Sequence, residues 1–600
     1  MIVRCGTGMN NPIFFLARKM WQFSEGNHPR VILFAFLLIV ANAISLLEPL
    51  IVAKILNTVQ EQGISFANLH IFFILLGLFI LQTILFWVFH GPARVLETTN
   101  SFLVRANYKK YLLNGTIGLP LEWHTEHHSG DTIDKIEKGT KALYNFSENS
   151  FQFIQAMVRF FGSLIALALF NFNTTFIVVF VTLIAIRIII EFDKTLVKQY
   201  RLLNTAENKI SAKIYDVISN ISTVVILRVE QLLSKDLWKS IMKPFGLYVE
   251  NSKLNEWKWF TASMVSGTMI SFVLGFYGYM TLLHGETILV GTLFALYSYT
   301  GRINEIFYSF AYLYSDTVRW RTSIQNAEEL SDNFREIAEE GSIIHEWKIC
   351  DIRSLTFSYH SQDDADLHLD NVSLSFRRGE KIAVIGESGS GKTTFLKIIR
   401  GLYAPTKVSV SLDGQELSDG FISMKNDIAL IPQEPEIFAT TIRENITMGV
   451  DRTEEEIRKY MDIARFSSVV ERLPNGMASS VVERGVNLSG GEKQRLALVR
   501  GLMASEDKSM ILLDESTSSV DAQNEIAIYE NIFSTYGDKT IIASIHKLHL
   551  LRMFDTIYMF DKGIISAFGN FNQLLQSSPL FAEMWRKYTE MDEEWKALEA

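Results

Sequence analysis

Cysteine is nearly absent from this chain. Cys5 and Cys350 are the only two in 600 residues, and their wide separation removes a disulfide framework from consideration. An excess of basic residues is missing too. The net charge is −9, so nothing points to nucleic acid as a global partner. No cleavable secretion signal is evident, because the first apolar segment begins near Val31, is long enough to span a bilayer and has no small-residue cleavage site behind it. Too few residues precede that segment for an N-terminal peptidase.

What the chain has in quantity is apolar sequence, unevenly spread. It is 48% hydrophobic, with the long apolar segments crowded into the first half and an ordinary soluble composition after about residue 340. Six segments, at about 31–56, 69–89, 151–170, 176–190, 260–283 and 288–314, approach the roughly 20 apolar residues that a helical span requires. The connections at 57–68, 171–175 and 284–287 are short and hold no Lys or Arg. Those at 90–150 and 191–259 are long and carry Arg94, Arg105, Lys109, Lys110, Lys194, Lys198 and Arg201. Arg4, Arg18, Lys19 and Arg30 precede the first span. The positive-inside rule therefore predicts a multi-pass protein of the cell (plasma or inner) membrane with both termini cytoplasmic. The long connections read as helical, as at 205–228, so spans two to five are expected to run on as helices into the cytoplasm and turn back there.

The second half opens on a different signal. Gly386, Glu387, Ser388, Gly389, Ser390, Gly391, Lys392, Thr393 and Thr394 fit the phosphate-loop pattern G-x-x-x-x-G-K-[ST], between a strand-like 381–385 and a helix-like 395–400. Glycines let backbone amides turn toward a triphosphate, and the following helix presents its positive end to the same anion. Lys392 is expected at the β/γ-phosphates and the Thr393 hydroxyl on Mg²⁺. At 509–515 an apolar strand ends in two carboxylates. Asp514 would hold the metal through its water shell, and Glu515 would polarise the attacking water beside the γ-phosphate. Ser489, Gly490 and Gly491, within Asn487 to Gln494, open a second phosphate-binding helix. One triphosphate cannot use both helix ends unless the second comes from another copy, so a dimer is expected.

The run 488–494, Leu-Ser-Gly-Gly-Glu-Lys-Gln, resembles the signature of ATP-binding cassette (ABC) proteins, and companion motifs surround it. By that resemblance Tyr359 stacks on adenine, Gln433 touches Mg²⁺ and senses the γ-phosphate, Asp521 belongs to the D-loop, and His546 is the switch histidine. The stretch 441–446 follows as it does in exporters. Residues 480–485 resemble the exporter X-loop, with Val482 where the family has glycine. Residues 118–123 and 129–133 are similar to the first coupling region, and 224–230 to the segment after the second. The resemblance implies an all-α, six-span membrane domain (1–330) with cytoplasmic extensions, a linker (331–345) and an α/β P-loop ATPase domain (346–600). It further implies ATP and Mg²⁺ as cofactors and an ATPase-coupled exporter or flippase acting as a dimer. Glu515, His546 and the signature are intact, which favours a homodimer. The alternatives are one half of a heterodimer, or an ATP-gated channel or regulator.

Substrate is read from charges inside spans, which are costly and functional by default. Arg159 and Arg187 each lie 14 residues from Asn173, roughly 20 Å below a turn centred there. Arg302 lies at a similar depth, with Glu305 on its face at i+3. Such a basic belt predicts an anionic or lipid-like substrate, with Arg187–Glu191 and Arg302–Glu305 pairing as the structural alternative. His124, His127 and His128 lack a completing ligand set, so a polar surface helix is expected there rather than zinc.

Overall fold

The computed structural model describes residues 11–67, 69–334, 347–359, 368–434, 436–481 and 488–599. By its contacts the chain separates into two compact units: one of residues up to Ile117 with Ser129–Phe334, the other of Gly118–His128 with the residues from Arg335 on. The greater part of the expected linker, most of the X-loop resemblance (Val482 to Gly485) and Asn487 lie outside the described residues.

The first unit is helical. After α1 (Pro12–Phe23), the first span is two helices, α2 (His28–Ser45) and α3 (Glu48–Gln62). The break has a chemical cause. Pro49 has no N–H for the Ser45 carbonyl one turn earlier. Then come α4 (Leu69–Ile117), the short α5 (Leu121–Glu126), α6 (Ser129–Glu148), α7 (Ser150–Phe170) and α8 (Phe172–Ser219). α9 (Ile221–Ile226), α10 (Glu230–Met242), α11 (Phe245–Leu283) and α12 (Val290–Ser331) complete the set, with α5 grouping with the second unit.

α4 and α8 run for 49 and 48 residues, well past the apolar stretches that begin them. The expected helical extensions are therefore present, and α8 carries residue 205 on to Ser219 without interruption. Five helical stretches, covering α2–α3, α4, α6–α7, α8 and α10–α11, are long and apolar enough to cross a membrane. The sixth expected span, 288–314, falls within the 42-residue α12, which is not among these five and carries Arg302 and Glu305. Buried contacts pin the extensions together. Glu97 of α4, wholly enclosed, accepts hydrogen bonds from Ser150 Oγ and Phe151 N (2.6 Å each) and so caps the start of α7.

One reversal differs from expectation. α7 and α8 meet at Asn171 alone, whose side chain accepts from Thr174 N at 3.1 Å. The turn is therefore centred on Asn171 rather than Asn173. Arg159 sits nearer to it than Arg187 by about one helical turn, so the two are not at equal depth.

The second unit contains β1 (Ile349–Phe357), β2 (Leu369–Arg377), β3 (Lys381–Ile385), β4 (Lys407–Leu412) and β5 (Gln415–Glu416). It continues with β6 (Ile428–Ile431), β7 (Met510–Asp514), β8 (Thr540–Ser544), β9 (Thr556–Asp561) and β10 (Ile564–Gly569). An antiparallel sheet of order β2-β1-β4-β5 accompanies a six-stranded sheet of order β10-β9-β3-β8-β7-β6, parallel except for β10. β3, β7 and β8 are buried along their whole lengths, as continuous apolar runs in a two-sided parallel sheet must be. Helix α13 (Lys392–Ile399) follows β3. Four further helices follow, α14 (Ile442–Thr447), α15 (Glu454–Ile463), α16 (Ser467–Arg472) and α17 (Gly490–Met503). α18 (Ala522–Thr535), α19 (Phe571–Ser577) and α20 (Pro579–Glu599) complete the unit.

Candidate functional site

The loop between β3 and α13 lies at the C-terminal edge of the parallel sheet, where open α/β sheets place their ligands. Two of its glycines cannot be replaced. A Cβ on Gly386 (φ 148°) would sit 2.2 Å from Phe560 O, and one on Gly391 (φ 102°) would lie 2.9 Å from His368 O. Both conformations are ones that glycine adopts without strain. Lys392 folds back over the loop, its Nζ donating to Gly386 O (2.9 Å) and Glu387 O (3.0 Å). Burial pushes its pKa down, and the neighbouring Glu515 and Asp514 oppose that shift. The Ser390 hydroxyl is buried in the same loop with no hydrogen-bond partner among the described residues.

Asp514, at the end of β7, is 2% exposed and accepts from Thr393 Oγ1 at 3.0 Å. Burial raises its pKa, against the Thr393 hydrogen bond. A hydroxyl and a carboxylate side by side are the hard oxygen donors that Mg²⁺ takes, so the residues fit the metal. Glu515 follows with a left-handed φ of 45°, a conformation of the kind held at functional sites. Its two oxygens are gripped from opposite sides: Gln433 Nε2 reaches Oε2 and His546 Nε2 reaches Oε1, each at 2.6 Å. Three motifs separated by up to 113 positions thus meet on one carboxylate.

Tyr359 lies over the same loop, its hydroxyl 3.4 Å from Thr394 Oγ1 and its ring edge-on to Phe357, His368 and Tyr403. Ser489 caps α17: its hydroxyl accepts from Glu492 N while Glu492 Oε2 accepts from Ser489 N, a reciprocal capping box. Gly491 packs against the D-loop, where a Cβ would meet Ser519 O at 2.7 Å. Asp521 caps α18 through Asn524 N and Nδ2, and these bonds hold its carboxyl below the usual range. No described contact joins Ser489, Gly490 or Gly491 to the phosphate loop.

Sequence reasoning gave Gln494 no role, yet it ties three motifs together. Its Nε2 donates to Ser518 Oγ (2.8 Å) and Gln433 O (3.4 Å), and its Oε1 accepts from Ser519 N (2.7 Å). The available signal was the polar side chain itself: Gln494 is 6% exposed on a helix that otherwise buries aliphatics, and a buried amide must find partners. α5 groups with this unit as well, and its Thr125 hydroxyl donates to Glu122 O at 2.8 Å. Its histidines form no metal cluster among the described residues. Trp123 stacks on His127 instead, at 4.1 Å.

The membrane arginines do not form the expected belt. Arg187 is exposed and pairs with Glu191 at 2.6 Å. Arg302 pairs with Glu48 (2.6 Å) rather than with Glu305, and also donates to Ser45 O (2.9 Å), while Tyr299 donates to Leu46 O (2.7 Å). The reason is Pro49. The carbonyl it leaves without a helical donor draws the Arg302 guanidinium across to the broken helix, beyond reach of its own i+3 neighbour.

A phosphate loop, a carboxylate-tipped strand and a glutamate held by glutamine and histidine define a nucleoside triphosphatase of the cassette type, here in one chain with membrane-spanning helices. The family described as ABC transporter matches residues 369–518, and that described as ABC transporter transmembrane region matches residues 31–306. A Lactococcus lactis protein named multidrug resistance ABC transporter ATP-binding and permease protein is 26% identical over 488 residues, 80% of either chain. Heavy metal tolerance factor 1 of Caenorhabditis elegans is 26% identical over 78% of this chain and 58% of its own length. A solved bacterial Atm1-family ABC exporter with ATP bound superposes with a TM-score of 0.82 at 20% identity, covering 93% of this chain and 99% of that one. The chain belongs to the ABC transporters, with the membrane and ATP-binding domains fused in the exporter order. It is a multi-pass membrane protein that binds ATP and couples its hydrolysis to transport across the membrane.

Proposed function

We propose that two copies of this chain form the working exporter in the cell membrane, with both termini cytoplasmic. The membrane domain occupies 1–330 and the ATPase domain 346–600. Each ATP is held by the phosphate loop of one copy, with Tyr359 against its base, and is closed over by Ser489, Gly490 and Gly491 of the other. Thr393, Gln433 and Asp514 would hold Mg²⁺, which would supply charge neutralisation on the phosphates. Lys392 orients the phosphates. Glu515 orients and polarises the water, and His546 steadies both Glu515 and the γ-phosphate. Asp521 holds the D-loop at the junction between copies.

The observation that carries this reading is the grip of Gln433 and His546 on Glu515 beside the Thr393–Asp514 pair. The separation of the signature glycines from the phosphate loop supports the dimer, since each site is then incomplete without a second copy. The basic residues of the long connections support the orientation. ATP drives the cycle if it binds the closed dimer better than the open one, and hydrolysis releases that bias. Recognition of cargo falls to the charged residues around Arg159.

The test is ATP turnover by the purified protein alone in liposomes, with native chain mixed against Glu515→Gln. Shared sites predict that activity falls more steeply than in proportion to the native fraction. ATP binding without turnover in the native protein alone would instead require a different partner chain.

A further inference from the structure

ATP hydrolysis makes no use of a charge cluster in the first unit. α7 and α3 both pack against α12, which gathers Arg159 of α7, Arg302 and Glu305 of α12 and Glu48 of α3 into one cluster. The four formal charges cancel, but not in two pairs. Arg302 is committed to Glu48 and to the carbonyl that Pro49 leaves without a donor. Arg159 and Glu305 remain. Neither makes an ion pair or hydrogen bond among the described residues; Arg159 Nε is buried without a partner, and Glu305 is exposed.

A buried guanidinium donor with no acceptor is costly, and more so within a span. Arg159 and Glu305 thus each lack a partner of opposite sign among the described residues. A ligand carrying both signs supplies the two, with its anionic group on Arg159 and its ammonium on Glu305. A ligand with negative charge alone meets Glu305 and Glu48, and one with positive charge alone meets Arg159.

We propose that Arg159 and Glu305 form a recognition site for a zwitterion, a molecule with an ammonium and a carboxylate or phosphate a few bonds apart. The proposal rests on the transport reading above and narrows its cargo. It narrows the anionic or lipid-like substrate that the arginine count predicted to one that also carries an ammonium. The same chemistry comes from two sources: a phosphatidylethanolamine headgroup, or a free short peptide.

The test uses the full chain in uncharged detergent micelles and reads ATP turnover against added probe. Trialanine carries both charges, its N-acetylated form only the carboxylate, and its C-amidated form only the ammonium. Phosphatidylethanolamine and phosphatidylglycerol are the lipid arms. Turnover is expected to rise with trialanine or with phosphatidylethanolamine, whichever is the source. Singly charged relatives of that source should need about tenfold more for the same effect, the worth of one charge-assisted contact. Glu305→Gln should abolish discrimination against the anionic relative, and Arg159→Gln against the cationic one. Loss of helix packing would not produce those opposite changes. Should either single variant misfold, the exchange Arg159→Glu with Glu305→Arg keeps the charge balance and is expected to keep the zwitterion response. Equal stimulation by phosphatidylglycerol or N-acetyl-trialanine overturns the proposal, as does the lack of any response to both zwitterions. Basal turnover that vanishes in Glu515→Gln leaves the transport reading standing in those cases; no basal turnover at all removes both.

Discussion

In the ATPase unit Ile511, Leu512, Leu513, Ile541 and Ile542 are wholly enclosed, while Lys407, Glu416 and their like face outward. In the membrane unit the spans turn Phe73, Ile80, Trp87, Leu169 and Phe180 outward and bury Asn42, Ser163, Thr182 and Thr300. The same side-chain types are sorted in opposite ways because the solvents differ. Where the surroundings are as apolar as leucine, aliphatic burial drives nothing, and small or polar residues hold helices together. Water makes aliphatic burial the main driving force. Stability in the ATPase unit should therefore answer to its core and its buried polar anchors, whereas the membrane unit should answer to individual hydrogen bonds.

The largest effect is expected at the site itself. Glu515→Gln should lower ATP turnover by roughly 10²- to 10⁴-fold, the worth of a positioned general base, with ATP binding retained in a filter or fluorescence assay. Next, Lys381 buries its Nζ against Tyr536 O (2.9 Å), Gly537 O (3.3 Å) and Lys539 O (2.6 Å). Lys381→Met should cost about 2 kcal/mol by leaving those carbonyls without a donor, read as a lower Tm of the ATPase transition. An unchanged Tm would mean that this unit relies on its apolar core alone.

Gln494→Ala should cut turnover by about tenfold, an effect of about 1.4 kcal/mol, with ATP affinity nearly unchanged, because it loosens the Q-loop and D-loop without touching the phosphate loop. Asp514 supplies a pH prediction. Its folded pKa is raised by burial, so its stabilising contribution is present below the ordinary Asp value of about 4 and is lost as pH rises through the folded value. Asp514→Asn should therefore melt higher than the native chain at neutral pH without nucleotide, with the gap closing on acidification, while Mg²⁺-dependent turnover is lost. The smallest effect belongs to the membrane unit. Tyr299→Phe removes one hydrogen bond to the broken helix and should cost about 1 kcal/mol in detergent unfolding. A loss several times larger would mean that the α2–α3 break depends on this contact more than on Arg302.

Much of the ATPase site was legible because its chemistry is local. The phosphate loop needs glycines, lysine and threonine within nine consecutive positions, and the strand before it announces itself by apolar content. Gln494 was missed because its partners, Ser518, Ser519 and Gln433, lie 24 or more residues away. In the membrane unit the i+3 spacing favoured Arg302–Glu305, and the structure chose Glu48, 254 residues distant. Pro49 was the available clue, since a proline inside a span leaves a carbonyl that some neighbouring donor must satisfy.

Sequence alone determined what depends on composition and short spacing: an apolar half that requires lipid, a phosphate-binding loop, and the residue types that hydrolysis needs. Tertiary structure decided which of those residues act on one another. It closed Gln433 and His546 on Glu515 and drew Arg302 to a broken helix. The reason is physical. Helix and loop propensities act over a few residues, whereas a charge or hydrogen-bond donor takes whatever partner three-dimensional packing brings within reach.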